Sequence, residues 1–508
     1  MEEKHIAAID LGSSKFAVAV ARISGDDIQI VYYKETPSDG IRNSEVFNPG
    51  KTLSKLGAAI HEAEQELNIK IMQACVGLPR YPVTQEVATA RFDRSEPNRC
   101  ISDEEIETLK SLALEAYPLN DPDGEVLYGA VAQSFSTAEY FNLVEHDVVG
   151  TVSRSLEGNF KVFIGRQHAV TDIDVLFNNL HIAIARMYFL PDAIAKAVLT
   201  SEELENGVAL VDFGGGVTSV SIYQGNIMRY YGAIPFGGKT ITTDIKTECS
   251  ISESLADNIK KGFGSCMPSK LQNLSEKTLQ IQYEDRNNIE VRVSYLAEVI
   301  GERTREIVDA ILWHIQRSGF EKSLNCGVVI TGGGANLMGL SYLIKERSGY
   351  NVKLGYPRHL FSADGCNGIY ETSATAAMGM ILAAKNDRLP DCVDLPAFNP
   401  DVLRAEGLEL ENPFQEETAD TAEPVAEQPE TAEETPRDTD WDTDFNQGTQ
   451  GTLIDENEFG EPVKREKPRR NFSIMPRTRA KASEHINLIW KKVTDRIGDI
   501  YDNATKED

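Results

Sequence analysis

One pattern constrains this chain more than any other, and it occurs twice. Residues 207–225, GVALVDFGGGVTSVSIYQG, run from a β-branched stretch into Asp212, through Gly214, Gly215 and Gly216, and on into an alternating stretch ending at Tyr223. Residues 5–23, HIAAIDLGSSKFAVAVARI, repeat the design with Asp10 and the turn Gly12, Ser13, Ser14, Lys15. Each predicts strand, tight turn, strand. Glycines let backbone N–H groups approach a ligand with no Cβ in the way. Successive N–H groups facing one concavity make an anion site. A carboxylate just ahead of the turn can hold a hydrated divalent cation beside that anion. The plain alternatives are a hairpin with an exposed lysine, and an aspartate that caps its own turn. A third, partial copy is CGVVITGGGANLMGL, Cys326 to Leu340. It predicts a buried strand, then Gly332, Gly333 and Gly334 at a helix start, which favours a nucleotide's phosphate or ribose. Such repetition predicts two similar halves facing one another across a cleft.

These three stretches resemble the phosphate-1, phosphate-2 and adenosine motifs of the actin-like ATPases. Further stretches resemble the FtsA cell-division family within that superfamily: GAIPFGGKTITTDI at 232–245, VLYGAVAQSFSTAEY with HDVVGTVSRSLEG in the first half, and ETSATAAMGMILAAK at 371–385. The resemblance spans about residues 4–385. It implies an α/β, actin-like ATPase fold with two related halves around a nucleotide cleft and an FtsA-type insert. The first large subdomain would comprise 1–84 and 169–204, with the insert at 85–168. The second would comprise 205–240 and 313–385, with a small subdomain at 241–312. The implied cofactors are ATP and Mg2+. Gly12, Ser13, Ser14, Lys15, Gly214, Gly215, Gly216 and Thr218 would meet phosphates, and Gly237 and Gly238 the ribose and α-phosphate. Asp10 and Asp212 would position the metal's waters. Glu302, Arg303 and Glu306 on a helix at 296–312 would touch adenine and ribose, a solvated charged face being the alternative. Relatives carry leucine-glutamate-proline where this chain has Phe189, Leu190 and Pro191, which puts any role of that glutamate in doubt here.

Coarse periodicity predicts strands at 5–10, 16–23, 28–33 and 71–76, and a helix at 53–67. Ser102 with Glu105 three residues on marks a capping box for a helix beginning near 103. Strands are expected at 125–135 and 160–166, a long helix at 172–187 and a small-residue helix at 192–200. At 508 residues the chain can bury more than one core. Its net charge of −28 argues against a general nucleic-acid binder. Seven cysteines without C-x-x-C spacing fit reduced thiols in a cytosolic protein. The N-terminus lacks the apolar run of a signal peptide, and no stretch reaches the roughly 18 apolar residues of a membrane span.

The tail reads differently. Residues 401–463 hold 20 acids and two bases, too little apolar surface to fold. Residues 464–481 then hold eight bases and one acid. The reading is a disordered linker over 386–482, acidic then basic, with a reach of roughly 50–60 Å. Residues 483–503 follow as an amphipathic helix. Ile486, Ile489, Trp490, Val493, Ile497 and Ile500 lie within about a 120° arc, with Lys491 and Lys492 on the other side. This helix could dock back on the body, pair with a protein, or lie in a membrane interface. The basic run attracts anionic lipid, and FtsA proteins end in such a helix. Together with this tail, the resemblance implies an ATP-binding division protein at the cytoplasmic face of the inner membrane. It would form filaments and tether an FtsZ-like tubulin homologue, alongside other division proteins. The rivals are an ATP-hydrolysing chaperone-type ATPase or sugar kinase, and a pilus-assembly actin homologue. No residue stands out as the base that activates water.

Overall fold

A computed structural model describes residues 3–394 except 272–273, 282–288, 364 and 388. The linker and the terminal amphipathic helix lie almost wholly outside these residues.

The first half opens with the antiparallel strands β1 (Lys4–Leu11), β2 (Lys15–Ser24) and β3 (Asp27–Pro37), then a small hairpin, β4 (Ile41–Arg42) and β5 (Glu45–Val46). Helix α1 (Pro49–Leu67) leads through β6 (Lys70–Ile71) to β7 (Gln73–Gly77). An insert follows, made of β8 (Thr84–Asp93), α2 (Asp103–Glu115), β9 (Glu125–Thr137), α3 (Glu145–Val148) and β10 (Ser155–Arg166). The half ends with α4 (Gln167–Asn179), β11 (Ala183–Tyr188), α5 (Leu190–Val198) and α6 (Ser201–Asn206).

The second half repeats the plan. Strands β12 (Val208–Phe213), β13 (Thr218–Gln224) and β14 (Ile227–Ile234) precede α7 (Gly238–Cys249), α8 (Glu253–Phe263), the hairpin β15 (Thr278–Ile281) and β16 (Ile289–Arg292), and α9 (Val293–Arg317). Then come β17 (Val328–Thr331), α10 (Leu340–Ser348), β18 (Val352–Leu354), β19 (Ser362–Ala363), α11 (Thr375–Asn386) and β20 (Val393–Asp394).

The sheets make the repeat explicit. One runs β11-β7-β1-β2-β3-β19 and the other β14-β13-β12-β17-β18. In each, three antiparallel strands are extended by two parallel ones on the side of the acid-bearing strand. The acids share a register: Asp10 opposes Ala17 and Asp212 opposes Ser219, one step before each strand pair opens into its turn. Both faces of each sheet are covered, which explains the continuous apolar runs. Ala7 and Ile9 pack toward α1 and α4, whereas Ile6 and Ala8 pack toward α5 and α11. In the second sheet Val211 and Phe213 pack toward α7 and α9, while Val208 and Leu210 join the core around α5 and α11. That shared core joins the halves. Gly379 of α11 lies where a Cβ would run into the Ala193 carbonyl of α5, so the small residues there set the helix spacing.

The insert forms its own sheet, β8-β10-β9, with α2 behind it and the expected capping box intact. It also reaches the second half. The Gln133 amide donates to the Met228 carbonyl at 2.9 Å, and the Tyr231 N–H donates to Gln85 at 3.0 Å. Phe163 stacks on Phe189 at 4.7 Å, and Phe189 meets Tyr231 edge-on at 5.1 Å.

Three elements differ from expectation. The long helix expected at 172–187 ends at Asn179. His181 turns the chain with φ 56°, and 183–188 pair as β11 alongside β7. Ala, Arg and Met are sound helix formers, but sheet pairing decides their state. The glycines at 332–334 start a single 3-10 turn, and the α-helix waits until Leu340. The folded body passes the expected linker start at 386: Val393 pairs with Ile71, the Cys392 N–H donates to the His5 carbonyl at 2.9 Å, and Cys392 is fully buried.

Candidate functional site

The two repeated turns meet at a cleft of about 1060 Å³. Asp10, Gly12, Ser13, Ser14 and Lys15 line it from the first half, and Asp212 and Gly214 to Gly216 from the second. Gly332, Gly333 and Gly334 add the end of β17, and Gly238 the start of α7. Glycine is needed for close approach. A Cβ at Gly216 would lie 2.6 Å from Ser13 Oγ, and one at Gly215 would overlap Ser14 Oγ. The second turn is tied to α7 by the Gly238 and Lys239 N–H groups, which donate to the Gly214 and Gly215 carbonyls at 3.0 and 2.8 Å. Gly237 lies behind this contact, and Thr218 is buried with its hydroxyl donating to the Phe236 carbonyl at 2.9 Å. Neither lines the cleft.

Asp10 and Asp212 are 6% and 4% exposed. Burial pushes the Asp10 carboxyl above its ordinary range; Arg80 and Lys15 oppose this and Asp212 adds to it. Two buried carboxylates beside glycine turns suit a divalent cation, because Mg2+ takes one or two carboxylates, keeps several waters and binds phosphate oxygens. Among the described residues no group of three or more His, Cys, Asp or Glu is placed to hold a metal directly. The pair of buried carboxylates fits an ion that keeps most of its waters.

Several cleft residues were not anticipated. Arg80, in the loop after β7, pairs with Asp212 across the halves. Glu35 at the end of β3 pairs with Lys15. On α8, Lys260 donates to the Gly238 carbonyl at 3.0 Å, to Thr242 at 2.7 Å and to Asp257 at 2.7 Å, while Lys261 also pairs with Asp257. Burial acts to raise the Asp257 pKa, but hydrogen bonds from the two lysines hold it at about 2. The spacing of Asp257, Lys260 and Lys261 on one helix was a usable signal. Arg80 also had one: open α/β sheets place ligand contacts just beyond the carboxyl ends of parallel strands, and β7 matches β17 in the repeat.

Glu302, Arg303 and Glu306 sit elsewhere. Arg303 grips Asp244 with a fork at 2.5 and 3.1 Å and also pairs with Glu306, while Glu302 pairs with Arg305. These contacts tie α9 to α7 and leave the cleft wall to α7 and α8, through Lys239, Ile241, Thr242, Asp257 and Lys260.

Two related α/β halves, each contributing an acid-tipped glycine turn to one cleft, define the actin-like ATPase fold. The chain shares its fold with a solved structure titled the PilM-PilN type IV pilus biogenesis complex, at a TM-score of 0.53 and 16% identity, over 75% of this chain and 99% of that one. In sequence the chain is similar to the FtsA proteins: the family model "Cell division protein FtsA" matches residues 209–379. Cell division protein FtsA of Neisseria meningitidis serogroup B is 27% identical over 365 residues, 71% of this chain and 85% of the relative. That of Pseudomonas aeruginosa is 27% identical over 415 residues, 80% of this chain and 96% of the relative. The resemblance read from the motifs is thereby borne out. No helix among the described residues is long and apolar enough to cross a membrane.

Proposed function

We propose that this chain is an FtsA-type division protein that binds ATP with Mg2+, assembles into filaments and tethers an FtsZ-like ring to the cytoplasmic face of the membrane. The observation that carries the nucleotide reading is the convergence of Asp10 and Asp212, in equivalent registers, on one cleft. In this reading the turn N–H groups of 12–15 and 214–216 take phosphate oxygens, and the two carboxylates hold the waters of the ion. The ion supplies charge neutralisation of the triphosphate when bound. Lys15, on the rim of the first turn, adds a positive charge that is held in place by Glu35 and the Ser373 carbonyl. The division role is supported by the likeness to FtsA proteins over most of their length.

The anchor is the amphipathic stretch at 483–503, aided by the basic run before it. Sedimentation with anionic vesicles tests it: the full chain pellets and a chain ending at residue 480 stays in the supernatant. Equal pelleting overturns the anchor. Calorimetric titration of ATP with Mg2+ tests the cleft, and no measurable binding overturns the nucleotide reading. Electron microscopy on lipid monolayers, with ATP and without, tests filament formation.

A further inference from the structure

The cleft holds a positive group that the motif-based reading does not use. Arg80 leaves the end of β7 with its backbone fixed at both polar atoms: its N–H donates to Ser44 Oγ at 3.0 Å, and its carbonyl accepts from the Tyr231 hydroxyl at 2.7 Å. Ser44 in turn donates its own N–H to Ser13 Oγ of the first turn at 3.3 Å. The side chain is only 11% exposed and pairs with Asp212 through Nη1. Its Nε is buried with no hydrogen-bond partner among the described residues. A guanidinium carries five N–H donors in a planar fork that matches phosphate oxygens. Here an anchored backbone presents it among both glycine turns.

The charges say what it is for. Asp10 and Asp212 alone would repel a triphosphate, Lys15 is already paired with Glu35, and Lys260 and Lys261 are paired with Asp257. Arg80 is the group that neutralises Asp212 from the opposite half. Once a hydrated divalent ion engages Asp212, the ion takes over the neutralisation of that carboxylate and shares the phosphate charge, so less rests on the guanidinium. Without the ion, Arg80 can bridge carboxylate and phosphate at once.

Resting on the ATP reading above, we infer that Arg80 is a phosphate ligand of the nucleotide, giving the cleft a metal-independent share of its triphosphate affinity. The test is calorimetric titration of the full chain with ATP, in Mg2+ and in EDTA. The wild type is expected to bind in both. Arg80→Met is expected to lose roughly tenfold or more in EDTA, about the worth of one hydrogen bond to a charged group, and clearly less in Mg2+. Arg80→Lys keeps the charge without the fork and is expected to fall between the two in EDTA. A wild type that binds ATP in Mg2+ but not in EDTA overturns the inference, as does an Arg80→Met protein that binds as tightly as wild type in EDTA. Should Arg80→Met fail to fold by circular dichroism, Arg80→Lys decides: wild-type affinity in EDTA overturns the inference and a loss supports it. A wild type that binds ATP in neither buffer overturns the nucleotide reading itself, which separates the two failures.

Discussion

Lys15, in the first glycine turn, is held by the carboxylate of Glu35 at the far end of β3. Glu35 also accepts from the Tyr33 hydroxyl at 2.6 Å and from Ser373 Oγ at 2.7 Å, and Lys15 donates to the Ser373 carbonyl at 3.2 Å. Burial works against the charge of Glu35, yet Lys15 and the two hydroxyls keep the carboxyl below its ordinary range. A negative charge on the wall of a phosphate cleft opposes the ligand. Glu35→Gln keeps the outline and removes that charge, so Mg-ATP affinity is expected to rise by roughly three- to tenfold in a calorimetric titration. A weaker complex would mean that Glu35 serves chiefly to aim Lys15.

Gly12 and Gly214 occupy one position in the two turns. A Cβ at Gly12 would lie 2.5 Å from the Lys15 carbonyl oxygen, and one at Gly214 would lie 2.6 Å from the Val217 carbonyl oxygen. Backbone cannot step aside as a side-chain tip can, so alanine at either place must open its turn. Gly12→Ala and Gly214→Ala are each expected to lower ATP affinity by roughly tenfold or more, measured by titration. Gly50→Ala, whose nearest neighbour would be 3.8 Å away, is the control expected to bind normally.

Gly379→Ala sets two effects against each other. Alanine favours a helix over glycine by about 1 kcal/mol. Overpacking against the Ala193 carbonyl costs about 1–3 kcal/mol. Because rigid backbone is struck, the clash wins, and urea unfolding is expected to show a net loss of stability.

His314 on α9 is tucked under β14, its Nδ1 2.8 Å from the Tyr230 hydroxyl. Burial, with a smaller push from Arg317, lowers its pKa from 6.5 to about 4. Between those values the unfolded chain takes up a proton that the folded chain refuses. Stability therefore falls as pH drops from about 6.5 to about 4, by something on the order of 1–3 kcal/mol. Urea unfolding across that window checks this, and His314→Gln is expected to flatten the slope.

The halves and their hairpins were legible because both signals are local: an apolar strand, an acid and a glycine turn, each written within 20 residues. The three glycine stretches are likewise read from single segments, and all three line the cleft. What escaped depends on distance along the chain. Arg80 and Asp212 are 132 positions apart, and no local pattern announces their pairing. Edge strands escaped too. β8 reads TQEVATARFD, with most side chains exposed, and β11 has a helix former's composition, so only their partners make them strands. For Glu302, Arg303 and Glu306, charge on one helix face was visible, but the partner across from it, Asp244, was not.

The short closing strand β20 sits against the opposite end of the cleft's first strand. Asp391 accepts from the His5 N–H at 3.2 Å, Cys392 donates to the His5 carbonyl, and the Cys392 carbonyl accepts from the Met72 N–H at 3.0 Å. β1 begins at that grip and carries Asp10 near its other end. A pull on the chain beyond Asp394 would act through these hydrogen bonds on the root of the strand whose tip lines the cleft. The site where the chain leaves the folded body and the acid that lines the cleft are thus separated by a single strand of eight residues.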